Sequence, residues 1–208
     1  VRFKPTAKEI NYMELDKHSD LKPFLNHYKN AVFYDDYVVG ELINNLKKKN
    51  LLDNTIIMIT GDHGAEFYEN GFWGHNSAFT KEQIKGPFIL YIPKEKPKTI
   101  DLKTSHFDIV PTLLEILKCS SPTENYSFGV SLLSNDLASR SFIVSSGWSE
   151  SAIINDNATL VFSTESYNMN TFELRDQNYE MKQSKEYNKY FKLTDINQVV
   201  MNMGKFLK

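Results

Sequence analysis

Only one cysteine, Cys119, stands among the 208 residues. That excludes an intramolecular disulfide framework and leaves the redox compartment open. No apolar run approaches the roughly 18 residues of a spanning helix. No signal-peptide pattern opens at Val1. An excess of charge of one sign is missing too. Lys and Arg number 24 against 26 Asp and Glu, a net charge of -2. There is therefore no electrostatic case for nucleic acid as a partner. No internal repeat or low-complexity tract is present. What remains is 41% hydrophobic and 24% charged, enough for one medium domain with a real core.

Residues 55 to 75 carry most of the chemistry. Thr55-Ile56-Ile57-Met58-Ile59 has the length and β-branched composition of a buried strand. It ends in Thr60-Gly61-Asp62-His63-Gly64, where two glycines allow a sharp turn. Asp62 and His63 are thus presented at a strand tip, the edge where open α/β sheets bind ligands. A carboxylate beside an imidazole suits a hard-to-borderline cation such as Zn or Mn. The structural alternative is a capping Asp next to a hydrogen-bonding His. Trp73-Gly74-His75 downstream supplies a second histidine, which otherwise reads as a loop residue stacked on Trp73.

The segment Ile59-Thr60-Gly61-Asp62-His63-Gly64-Ala65-Glu66-Phe67 resembles the "TGDHGxEF" stretch of the sulfatase and alkaline phosphatase superfamily. Glu69 to His75, then Phe79-Thr80, Gln83 and Gly86-Pro87-Phe88, continue the resemblance. So do Ser105-His106-Phe107-Asp108-Ile109-Val110-Pro111-Thr112-Leu113-Leu114 and, upstream, Tyr28 to Asp36 with Gly40. Together they cover about residues 24 to 135. The subgroup most resembled is the membrane-anchored bacterial sulfatase-like proteins, which include inner-membrane proteins with an extracytoplasmic sulfatase-like domain and, more distantly, the phosphoethanolamine transferases and lipoteichoic acid synthases.

The resemblance implies an α/β fold, part of an alkaline-phosphatase-like sandwich, with a small C-terminal antiparallel β subdomain. It implies a divalent metal (Zn, Mn or Ca) held by Asp62 and His63. His75 matches a position that touches the substrate's sulfate or phosphate, where fixed donors meet oxygen charge. The substrate class is a phosphate or sulfate ester, possibly lipid-linked. The setting is an extracytoplasmic, periplasmic domain of an inner-membrane protein. The family's nucleophile, a Thr, Ser or formylglycine, lies well upstream of the Asp-His strand, and only about 60 residues precede Asp62 here. Cys119 lacks the sulfatase cysteine signature. The catalytic nucleophile is therefore expected outside this chain, which is read as the C-terminal part of a longer protein with its membrane spans N-terminal to Val1. The alternative is a non-catalytic sulfatase-like sensor or scaffold that binds lipid or a protein partner.

Two regions are expected, 1-137 as the C-terminal part of the α/β core and 138-208 as a small antiparallel sheet with a terminal helix. Residues 1-22 read as an extended connector. Apolar positions Leu25, Tyr28, Val32, Tyr37, Val38, Leu42, Ile43 and Leu46 predict a helix over 24-49 with one buried face. Lys47, Lys48 and Lys49 suit its C-terminal dipole. Asp35 and Asp36 read as solvent-facing helix acids. Residues 88-92 read as a second core strand, and Asp62, His63 and His75 are expected at the C-terminal ends of both strands. Ser105 is an N-cap for a helix from His106 to about Lys118, with Pro111 marking a bend or the true first turn. His106 is assigned a capping or packing role. Strands are predicted over 141-146, 151-154, 159-163 and 171-175, with a turn at Asn155-Asp156-Asn157. A closing helix is predicted over 195-206. Tyr167, Tyr179, Tyr187, Tyr190 and Phe191 are read as core and sheet packing rather than a lipid-facing surface.

Overall fold

The computed structural model describes residues 2-9, 11, 15-163, 172-203 and 205. The chain divides into two compact units, Val1–Lys98 and Thr99–Lys208.

The first unit is built on one long helix, α1 (Lys22–Lys48), with Pro23 in its first turn. There a missing N–H costs nothing and the ring's fixed φ favours helix entry. Lys47 and Lys48 occupy the last turn. Beyond it, Asn50 takes a left-handed conformation (φ 55°). The Asn50 and Leu51 amides then donate back to the Lys47 and Leu46 carbonyls, closing the helix end. The segment before α1 is strapped to it by two asparagines one turn apart. Asn30 Oδ1 accepts from the Arg2 and Phe3 amides, and its Nδ2 donates to the Phe3 carbonyl. Asn26 Nδ2 donates to the Pro5 carbonyl.

The helical periodicity of α1 is as expected, but its burial is not. Asn26 is its buried residue, while Tyr28, Val32, Tyr37, Val38 and Leu42 are exposed. A helix buries a stripe only against another layer. The layer in this unit is two strands, β1 (Ile57–Thr60) and β4 (Phe88–Tyr91). They pair antiparallel, Ile57 opposite Tyr91 and Thr60 opposite Phe88. Neither is the buried core strand its composition suggested. β1 is half-buried up to an exposed Thr60, and Ile89 on β4 is 57% exposed. Between them lie a hairpin absent from the sequence reading, β2 (Glu66–Phe67) with β3 (Trp73–Gly74), and a short helix, α2 (Lys81–Ile84).

In the second unit Ser105 caps as expected, its side chain accepting from the Phe107 amide while Asp108 accepts from the Ser105 amide. The predicted helix over 106-118 is instead a 3₁₀ turn, His106–Asp108, running into α3 (Ile109–Ile116), with Pro111 in the first turn of α3. Cys119 is an exposed residue just past the helix end. The loop after α3 is sewn to its start. Ser127 Oγ donates to the Phe107 carbonyl, the Val130 amide to Asp108 Oδ1, and the Leu132 amide to Thr112 Oγ1. Asp108 is fully buried and paired with Arg140, whose two terminal nitrogens lie 2.6 and 2.5 Å from its oxygens.

The sheet that follows has the order β5-β6-β7-β8-β9, all antiparallel. Its strands are β5 (Ile143–Ser146), β6 (Glu150–Ile154), β7 (Ala158–Ser163), β8 (Phe172–Asp176) and β9 (Met181–Lys182). Four of them match predicted runs, although Thr171 lies outside the described residues. β9 was not foreseen. The Asn155 turn is as expected, with Oδ1 accepting from the Asn157 and Ala158 amides. The closing helix, α4 (Leu193–Met203), begins two residues earlier than predicted. The last predicted position, residue 206, lies outside the described residues. One core joins sheet and helix: Ile153, Ala158, Leu160, Phe162 and Leu174 pack with Phe191, Ile196 and Val199. Tyr187 and Tyr190 pack against this core, and Tyr179 lies under the Arg175 guanidinium. Tyr167 lies outside the described residues.

Candidate active site

The turn after β1 presents Asp62 and His63 to solvent, with side-chain exposures of 89% and 40%. Backbone packing behind the turn explains Gly64. The Gly61 amide donates to the Pro87 carbonyl and the Gly64 amide to the Gln83 carbonyl. A Cβ on Gly64 would collide with the Glu82 carbonyl, so the α2 segment can back the turn only where there is no side chain.

The His63 ring is held by its own turn. Nδ1 lies 2.8 Å from the Gly64 carbonyl oxygen. A carbonyl can only accept, so this contact places a proton on Nδ1, and in the neutral ring Nε2 then carries the lone pair. Histidines that ligate a metal have their tautomer set by a bond of this kind from the other ring nitrogen. Nε2 lies 3.6 Å from Asp62 Oδ2, and Asp62 Oδ1 accepts from the His63 amide. Two ligands about 2.0–2.2 Å from a common ion at a near-tetrahedral angle stand roughly 3.3–3.6 Å apart. The donor pair thus fits one cation, with further ligands still required. Among the described residues no group of three or more His, Cys, Asp and Glu side chains converges as a metal cluster.

His75 follows β3 and is exposed. Its ring stacks on His63, not on Trp73, with centroids 4.2 Å apart and planes 20° from parallel. Trp73 packs instead against Phe24, Phe67 and Tyr68. The hairpin brings His75 back over the strand tip. Gly71 (φ 90°) makes its turn and Gly74 (φ 76°) aims the chain, both in a region that disfavours side chains. The expectation that the site sits at the C-terminal ends of two strands needs correction. Because β1 and β4 run antiparallel, the C-terminal end of β1 meets the N-terminal end of β4. Asp35 and Asp36 are exposed on α1, as read from the sequence.

Glu66 escaped assignment from sequence. It is fully buried on β2, opposite Gly74. Burial pushes its carboxyl up. Hydrogen bonds from Thr80, Gln83 and the Asn70 and Phe72 amides outweigh that and hold it below its ordinary range. In the second unit, a cavity of about 200 Å³ is lined by Phe107, Phe128, Arg140, Phe142 and Val199 among others and includes none of the predicted site residues.

The mixed helix and strand architecture, with its C-terminal five-stranded antiparallel sheet, is an alkaline-phosphatase-like fold of the sulfatase type. The solved 4S-sulf protein from a glycosaminoglycan-metabolism locus of Bacteroides thetaiotaomicron superposes with a TM-score of 0.60 at 19% identity, covering 90% of this chain and 43% of that one. The Sulfatase family model matches residues 2–119, and the chain belongs to that family. The lipoteichoic acid synthase-like YvgJ of Bacillus subtilis is 31% identical over 64% of this chain and 23% of its own length. The inner membrane protein YejM of Salmonella typhimurium is 24% identical over 76% of this chain and 27% of its own. The chain therefore spans about a quarter of these curated relatives. Among the described residues no helix is long and apolar enough to cross a membrane.

Proposed function

We propose that this chain forms part of a metal-dependent hydrolase or transferase of phosphate or sulfate esters. It contributes two metal ligands, Asp62 and His63, and a substrate-binding histidine, His75. The observation that carries this reading is the arrangement at the tip of β1. Asp62 Oδ2 and a tautomer-fixed His63 Nε2 lie 3.6 Å apart, with the His75 ring stacked alongside at 4.2 Å.

A divalent cation (Zn, Mn or Ca) bound there supplies charge against the oxygens of the transferring group. Asp62 brings the negative charge that retains it, and the Gly64 carbonyl keeps His63 Nε2 available as the neutral ligand. His75, on the same exposed face, donates to a nonbridging oxygen of the ester, where developing charge makes a fixed donor most effective. The nucleophile comes from outside these residues. Family membership and the coverage of relatives by a quarter of their length support that division. The name of YejM supports an inner-membrane protein and that of YvgJ a lipid-linked ester as one substrate class; an extracytoplasmic setting for this domain is part of the same proposal.

The test is titration of the purified chain with Zn²⁺ or Mn²⁺ by calorimetry, paired with Asp62→Ala and His63→Ala. Weak binding that both substitutions remove is expected, since affinity follows ligand count. Tight binding insensitive to both would remove the site assignment. In the intact gene product, hydrolysis of an aryl phosphate or sulfate that Asp62→Asn removes is the matching result. Lipid or partner binding without any turnover would favour the non-catalytic sensor.

A further inference from the structure

We infer that Glu66 is a positioning residue whose buried carboxylate joins the two chain segments carrying His63 and His75 and holds their rings in register. The inference deepens the reading of Asp62, His63 and His75 as one site and rests on it.

Each oxygen of Glu66 serves a different part of the loop. Oε1 accepts from the Asn70 amide at 2.8 Å and the Phe72 amide at 3.1 Å, fixing the hairpin turn that leads into β3 and His75. Oε2 accepts from Thr80 Oγ1 at 2.5 Å and Gln83 Nε2 at 3.1 Å, fixing α2. Gln83 then passes the constraint in two directions. Its side-chain oxygen accepts from the Ser77 and Ala78 amides, just beyond His75, at 3.1 and 3.2 Å. Its backbone carbonyl accepts from the Gly64 amide at 2.7 Å, directly after His63. One carboxylate thus reaches the backbone before His75 directly and, through Gln83, both the backbone after His75 and the turn of His63. Glu66, Thr80 and Gln83 are all buried, with exposures of 0%, 2% and 2%.

The four donors define why the residue is a carboxylate. Asn70 and Phe72 present N–H groups, and Gln83 presents its amide nitrogen because its oxygen is committed to Ser77 and Ala78. A glutamine at position 66 would oppose an NH₂ to one of these donors. A buried donor left unpaired carries its full desolvation cost, so the loop must shift. The reverse exchange at position 83 sets two carboxylates within about 3 Å, a contact of like charges that a buried site disfavours. Making both exchanges restores the pairing. The carboxamide at position 66 then accepts from the Asn70 and Phe72 amides and donates to the carboxylate at position 83. That carboxylate accepts from Ser77 and Ala78 as before, and the Thr80 hydroxyl can turn to accept from the new NH₂.

The experiment is nuclear Overhauser spectroscopy of the imidazole protons in the whole chain, for wild type, Glu66→Gln, Gln83→Glu and the double variant. A half-buried control in α1, Leu46→Ala, separates loss of stability from loss of register. Wild type and control should show cross-peaks between the His63 and His75 rings. Each single variant should lose them, and the double variant should regain them. Cross-peaks that persist in folded Glu66→Gln overturn the inference, as does a folded double variant without them. If Glu66→Gln does not fold, the double variant decides by the same criterion. Chemical-shift changes at Asp62 and His63 on adding Zn²⁺ to wild type test the metal reading separately. Their absence overturns that reading and leaves the result on the ring stack standing.

Discussion

Removing the Asp108 carboxylate should be the most damaging single change in the second unit. Its side chain is 1% exposed and that of Arg140 10%. The two make a double hydrogen bond at 2.5 and 2.6 Å, and Asp108 also accepts from the Ser105 and Val130 amides. In Asp108→Ala the guanidinium keeps only the Lys103 carbonyl as a partner among the described residues. Stranding one member of a buried ion pair costs about 3–5 kcal/mol. At a urea slope near 2 kcal/mol/M that is a midpoint shift of about 2 M. The companion variant Asp108→Ala/Arg140→Met removes the stranded charge. It should recover all but the capping loss at Ser105 and the unpaired Val130 amide, roughly 1–2 kcal/mol. Tryptophan fluorescence is the wrong probe for this unit. Trp148 is 92% exposed and barely changes surroundings on unfolding. Amide hydrogen exchange across β6, β7 and β8 is the assay. A single-variant cost below about 1 kcal/mol, or a double variant no better than the single, would refute the reasoning.

The first unit gives three further expectations. Gly64→Ala should cost about 1–3 kcal/mol, as overpacking does, because the new Cβ meets the backbone carbonyl of Glu82. Trp73 emission during urea unfolding measures it, since that ring is packed among Phe24, Phe67 and Tyr68. Acid should selectively loosen the loop around Glu66. A carboxyl held below its ordinary value stabilises fully above the unfolded value of 4.5, and that contribution is lost as pH falls through the lower folded value. Glu66→Gln should flatten this slope in a pH series of thermal melts. In the intact gene product, His75→Ala should lower ester turnover by roughly 10²-fold, the scale of one lost oxyanion donor. Asp62→Asn should lower it further, and steady-state kinetics on an aryl ester decides the order.

What was legible in the sequence was local. The strand tip, its glycines, the Ser105 cap and the Asn155 turn are each written within a few residues, because each is a contact between near neighbours or a demand on one φ angle. The proximity of His63 and His75 was legible through the shared motif. The ring stack itself was not, since Trp73 was an equally good neighbour on paper. Burial was the least legible quantity. The stripe on α1 and the apolar runs of β1 and β4 have the composition of covered surface, yet Val32, Tyr37, Leu42 and Ile89 are exposed. Composition states what a face needs and not what lies against it.

The two acids that organise this molecule were equally hidden, for a different reason. Glu66 and Asp108 look like any other acid in a charged chain, and sequence offers no periodicity that marks them. What distinguishes them is the donor set they gather. For Glu66 the donors come from residues 4 to 17 positions away, all neutral. For Asp108 they come from 3, 22 and 32 positions away, the last a cation. The difference predicts opposite tolerance. The Asp108–Arg140 pair is two charges cancelling inside one unit, so an apolar replacement of both can approach neutrality. The donors of Glu66 include no countercharge to remove with it, and deleting it takes an acceptor from four donors in two separate chain segments, of which Gln83 Nε2 keeps another, Ser77 Oγ. No single second substitution empties that set, and so only an exchange that moves the carboxylate to position 83 should restore it.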